Sequence, residues 1–197
     1  MIPAASEPPK LAIWSRWTLA NTAGWIVFGL PAILAGGVYS VVNEFGPGAE
    51  NLFGAAGWPL AWLLGGALLA LVQATALRGR IALMRWIGAS SIGWLMAWLV
   101  AVVSGRTVWG VLAVGFLTGA AQWLVLRRLP GAAIWPAATL LAWLAFGLLD
   151  EALTRLSFLP AASMVSGFMI LALGGTLYGA ITGLALARLL AGAPTPD

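Results

Sequence analysis

The chain has 197 residues, of which 61% are hydrophobic and 8% charged, with a formal net charge of +4. A water-soluble domain carries about 25% charged residues, so this composition points to lipid as the main solvent. Cysteine and histidine are both absent, which excludes disulfides, thiol chemistry, imidazole proton transfer and histidine-ligated zinc or haem.

Residues 1–16 form a proline-containing polar leader that lacks the basic region, short apolar run and small-residue site of a cleavable signal peptide. Its Lys10 is the single lysine, so no Schiff base is expected inside a bundle. Six apolar runs follow, at 17–42, 58–77, 82–104, 108–126, 132–153 and 163–190, and 191–197 is a short tail. Runs near 20 residues, at 1.5 Å rise each, match a hydrocarbon core about 30 Å thick. The expected fold is therefore all-α and integral to the membrane, with six transmembrane helices.

Pro31 lies inside the first run and should kink it, whereas Pro59 and Pro136 fall in first turns, where a missing amide costs little. Pro160 falls in a loop, and residues 43–57 read as a glycine-rich segment outside the membrane. With six spans, one side holds Lys10, Arg16, Arg78, Arg80, Arg85, Arg127, Arg128 and Arg188. The other holds Arg106 and Arg155 with Glu44, Glu50, Asp150 and Glu151. The positive-inside rule then places both termini in the cytoplasm of a bacterial inner membrane. The basic residues are scattered over short loops without a stripe or stacking platform, so nucleic acid is not an expected partner.

The runs repeat. Gln73, Leu77, Arg78 and Trp86 recur as Gln122, Leu126, Arg127 and Trp135 at a constant offset of 49. The odd-numbered runs carry tryptophan and small residues at fixed spacing: Trp17, Ala20, Gly24, Trp25; Trp86, Ala89, Gly93, Trp94; and Trp135, Ala138, Ala142, Trp143. The even-numbered runs place small residues ahead of a glutamine, as Gly66, Ala70, Gln73 and Gly115, Gly119, Gln122. The last run keeps Thr176, Ala180 and Gly183 before Arg188, with glycine in the glutamine place. The unit is a helical hairpin, present three times over about 17–78, 82–128 and 132–190. Successive copies cross the membrane in the same sense, so a pseudo-threefold arrangement about the membrane normal is expected.

Small residues four apart let helices approach closely in lipid. Gly66, Gly115, Gly119, Gly175, Gly179 and Gly183 are thus packing candidates, within the bundle or at a dimer face. Trp17, Trp86 and Trp135, at helix ends, read as interfacial anchors whose indole N–H meets headgroups. Trp25, Trp94 and Trp143 lie about 12 Å deeper by helical rise, beyond any belt. They are either knobs that fill space left by glycine or, with Trp98, the lining of a pocket for a lipid tail, quinone or carotenoid. Gln73 and Gln122 sit about 7.5 Å inside the membrane by the same measure and need partners there. Interhelical hydrogen bonds are one option, and headgroup contact shared with Arg78 and Arg127 is the other.

Asp150, Glu151 and Arg155 resemble the acidic signature of the CAAX-protease-like intramembrane enzymes, but the histidines those enzymes require are missing. Glu151 and Arg155, four apart, are expected to form an ordinary ion pair instead. The segment from Gly115 to Trp135, Gly-xxx-Gly-xx-Gln-Trp-Leu-Val-Leu-Arg-Arg followed by Trp, resembles a group of uncharacterised tryptophan-rich bacterial multi-pass membrane proteins. That resemblance implies the hairpin fold and brings no activity with it. The residues themselves lead to a non-enzymatic accessory or scaffold protein that packs against other membrane subunits or itself and holds lipids. A small transporter or substrate-binding component for a lipophilic or vitamin-like solute is the alternative.

Overall fold

The computed structural model describes residues 10–42, 47–77, 80–104, 108–156 and 164–191. They form six helices: α1 (Lys10–Val42), α2 (Pro47–Leu77), α3 (Leu83–Ser104), α4 (Val108–Leu126), α5 (Ile134–Leu156) and α6 (Met164–Ala191). Stretches of α2, α3, α5 and α6 are long and apolar enough to cross a membrane, at Ala56–Leu77, Leu83–Val100, Ile134–Leu153 and Gly167–Ala191. Val111–Leu126 in α4 is a shorter apolar helix. The protein is a multi-pass helical membrane protein.

Two helices are longer than the apolar runs. α1 takes in residues 10–16, which are half apolar and have a surface to lie on: Trp14 packs over Gly183 of α6 and its Nε1 donates to the Ala180 carbonyl at 2.9 Å. α2 takes in residues 47–57, so most of the glycine-rich segment at 43–57 is helical. Pro59 consequently sits in the interior of α2, as Pro31 does in α1. Pro136 remains in the first turn of α5.

Each helix packs against its neighbours in the chain, and α6 closes back on α1. Among the described residues no other pair of helices brings its backbones close together, so the six form a closed ring whose interior is crossed by side chains. Lys10, Arg16, Arg80, Arg85, Arg127, Arg128 and Arg188 gather at one end of the ring, here the basic end. Asp150 and Glu151 lie toward the other, where Arg155 Nε meets Glu151 Oε1 at 2.7 Å in the expected i, i+4 pair. The turn from α4 to α5 is tight. Leu129 N–H donates to the Leu126 carbonyl, Ala132 N–H to that of Leu129 and Ile134 N–H to that of Gly131. Gly131 takes a φ of 74°, in the left-handed region that side chains with a Cβ avoid.

Candidate functional site

The interior of the ring is built from two tiers of tryptophan. In the tier nearer the basic end, Trp17, Trp86 and Trp135 meet one another, with ring centroids 5.9, 5.8 and 6.1 Å apart and planes at 68–73°. All three are fully buried, beside Leu77, Leu126 and Leu186. This corrects their reading as interfacial anchors: the indole N–H groups meet side chains of the protein, not headgroups. Trp86 Nε1 donates to Gln73 Oε1 at 3.3 Å, Trp135 Nε1 to Gln122 Oε1 at 3.1 Å and Trp17 Nε1 to Thr182 Oγ1 at 2.9 Å.

Each glutamine also faces the other way. Gln73 Nε2 donates to Asn21 Oδ1 at 2.8 Å, and Gln122 Nε2 donates to Ser90 Oγ at 3.1 Å. One amide thus ties three helices, α1, α2 and α3 through Gln73 and α3, α4 and α5 through Gln122. An amide has both a donor and an acceptor, which makes it the side chain for this position. Both glutamines are buried and their contacts are interhelical. Of the two residues paired with them as headgroup candidates, Arg127 is exposed at the basic end and Arg78 lies outside the described residues.

Thr182 corrects the register of the last copy. It follows Gly175 by seven residues, as Gln73 follows Gly66 and Gln122 follows Gly115. Threonine, not Gly183, therefore takes the glutamine place. Aligning backward from Arg188 slips by one residue, because the Leu-Arg-Arg of the second copy is Leu-Ala-Arg here. Thr182 accepts from Trp17 and donates to the Tyr178 carbonyl at 2.7 Å. A threonine side chain is too short to bridge to α5 as well, and Thr139 of α5 turns its hydroxyl to its own backbone at Trp135 and Pro136.

Sequence reasoning missed Asn21, Ser90 and Thr139, although the signal was present: each lies four residues after the first tryptophan of its copy. All three are buried.

The second tier brings together Trp25, Trp94 and Trp143, with centroids 5.4–5.5 Å apart and planes at 61–76°. Phe28 lies 4.4 Å from Trp94, Phe146 stacks on Trp25 at 4.8 Å and Tyr178 lies 5.8 Å from Trp25. These are contact distances for aromatic rings, each pair worth about 0.5–1.5 kcal/mol beyond its buried area, so the rings themselves occupy the space between the helices at this level. Trp98 is half-buried on α3 and stands outside the cluster, where Trp62 of α2 is the further tryptophan. Trp25 Nε1 and Trp143 Nε1 are buried without a hydrogen-bond partner. Edge-to-face contact between rings is what this tier offers them instead.

Glycines set the approach of the helices that carry the rings. A Cβ added at Gly66 would lie 2.8 Å from Trp94 Cβ, at Gly115 2.9 Å from Trp143 Cβ and at Gly175 2.7 Å from Trp25 Cβ. One turn on, Gly119 faces Thr139 and Pro136 and Gly179 faces Asn21 and Thr18, and a further turn on Gly183 faces Trp14 and Trp17. The six stripe glycines thus lie where an even-numbered helix meets an odd-numbered one.

Outside the ring, a groove of about 660 Å³ opens at the basic end between α3 and α4, lined by four arginines and by apolar side chains. Among the described residues no cluster of acidic side chains suits a metal ion. Comparison of the chain with protein-family models, with curated proteins and with solved structures finds no match.

Proposed function

We propose that this protein is a non-enzymatic scaffold or accessory subunit of a bacterial cytoplasmic membrane, which packs its outer helix faces against partner subunits and holds lipids around a rigid centre. The observation that carries this reading is the filled axis. Two tiers of three mutually touching tryptophans occupy the interior, so contact chemistry is left to the outside. Large side chains such as Leu34, Leu141, Leu148 and Val103 stand exposed there. A filled axis also weighs against a solute path through the ring, and hence against a small transporter. A quinone or carotenoid among Trp25, Trp94 and Trp143 would require those rings to part.

In this reading the basic end faces the cytoplasm, by the positive-inside rule. The three hairpins relate by a pseudo-threefold axis along the membrane normal. Matching roles of Gly66, Gly115 and Gly175, and of Gln73, Gln122 and Thr182, support that relation.

The test is extraction from the native membrane in nanodiscs, followed by native mass spectrometry. A scaffold comes out with stoichiometric protein partners or copies of itself and with bound lipid. A strictly monomeric, lipid-free particle overturns the reading.

A further inference from the structure

The groove between α3 and α4 has two chemically different halves. At the basic end Arg80 and Arg85 approach it from the start of α3, and Arg127 and Arg128 from the end of α4. All four are exposed. Among the described residues the lining contains no carboxylate, and four positive charges converge on it. Away from that end the walls become apolar. Ile92, two helical turns beyond Arg85, is 60% exposed and Leu124, one turn before Arg127 and Arg128, is 56% exposed. Two helical turns are about 10.5 Å of rise, enough to carry a chain from headgroup level into the hydrocarbon. The floor at Gly88 is open, with no atom within 4 Å of the place a Cβ would take.

We infer that this groove binds an anionic phospholipid with two phosphates in its headgroup, the phosphates held by Arg80, Arg85, Arg127 and Arg128 and an acyl chain laid along Ile92 and Leu124. Guanidinium groups grip phosphate through paired parallel hydrogen bonds, and basic recesses between transmembrane helices suit such headgroups. Four arginines facing one recess match two phosphates better than one, and the apolar half of the groove suits a lipid rather than a soluble phosphate. This inference rests on the lipid-holding part of the proposed function, but not on the protein partners.

The experiment uses the full-length protein in mixed micelles, titrated with a cardiolipin-type two-phosphate lipid and read by native mass spectrometry. Parallel titrations use a monoanionic phosphatidylglycerol, a zwitterionic phosphatidylethanolamine and inorganic pyrophosphate. The two-phosphate lipid should bind at least tenfold more tightly than any of the other three. Arg85→Gln combined with Arg127→Gln should weaken it at least tenfold, whereas Arg16→Gln combined with Arg155→Gln, with the same loss of charge elsewhere, should leave it within twofold. Ile92→Trp, which blocks the apolar half and changes no charge, should weaken the lipid and leave pyrophosphate unaffected. Equal loss in both charge-matched pairs would reduce the effect to net charge and overturn the inference. Pyrophosphate binding as tightly as the lipid would make this a soluble-phosphate site and overturn it too. If the lipid titration fails while partners still co-purify, the groove is wrong and the scaffold stands; specific lipid binding by a particle without partners or copies strikes the scaffold alone.

Discussion

Replacing Gln122 by leucine removes one side chain and strands two others. Trp135 Nε1 loses its acceptor at 3.1 Å and Ser90 Oγ its donor, also at 3.1 Å, all within the buried interior. Interhelical hydrogen bonds in a membrane protein average about 0.6 kcal/mol and reach about 1.7 kcal/mol, so losing two should cost about 1–3 kcal/mol. Leucine fills nearly the same space, which keeps the cavity contribution small. The bond itself is isolated by a double-mutant cycle with Trp135→Phe, which deletes the indole N–H. In the Trp135→Phe background Gln122→Leu should cost less than in the parent, with a coupling of about 0.5–1.5 kcal/mol. The assay is equilibrium unfolding in mixed micelles of mild detergent and dodecyl sulfate, followed by circular dichroism. Additivity of the two substitutions within about 0.3 kcal/mol would refute the bridging role of Gln122.

The same assay tests the difference between the tiers. Trp17→Phe, which breaks a hydrogen bond to Thr182, should destabilise by about 1 kcal/mol more than Trp25→Phe, whose N–H has no partner; an equal or larger cost at Trp25 would contradict the pairing described. Gly175→Val drives a Cβ against Trp25, where neither backbone can yield easily, and should cost at least about 1–3 kcal/mol. Gly167→Ala, in a helical position with open space around it, should instead gain up to about 1 kcal/mol, and a loss there would show that the outer face of α6 is packed. Glu151→Gln breaks an ion pair whose side chains are 60% and 78% exposed. It should shift stability by less than about 0.5 kcal/mol, and a larger shift in a thermal melt would contradict its surface character.

Hydropathy made the six helices legible, because lipid demands long apolar runs whatever the detail of packing. It failed at two ends for one reason: residues 10–16 and 47–57 have mixed composition, and polar or glycine-rich residues carry no signal of length once they leave the apolar run. The tryptophans near helix ends were misread because belt preference is a statement about single residues, whereas burial of Trp17, Trp86 and Trp135 depends on three helices meeting. A clue lay in the spacing. Gln73 precedes Trp86 by 13 residues and Gln122 precedes Trp135 by 13, a donor and an acceptor separated by the same turn twice over. The partnership of Trp17 with Thr182 spans nearly the whole chain, and no local pattern could announce it. The groove at the basic end is likewise invisible in the linear order, where its arginines look like topology signals in two separate loops.

The contact between α1 and α6 also bears on the order in which the chain enters the membrane. Trp14 donates to Ala180, Trp17 to Thr182, and the hydroxyls of Thr22 and Thr176 meet at 2.9 Å. These polar groups of α1 are made first among the six helices and wait longest for their partners. Until α6 is inserted, one side of α1 presents indole N–H groups and a face shaped to receive Gly175 and Gly179 to whatever lies beside it. With only α1–α5 in place the ring is open, and the polar edge of α1 lacks the partners that close it. The groups that cover this edge, the Ala180 carbonyl and the hydroxyls of Thr176 and Thr182, all come from α6.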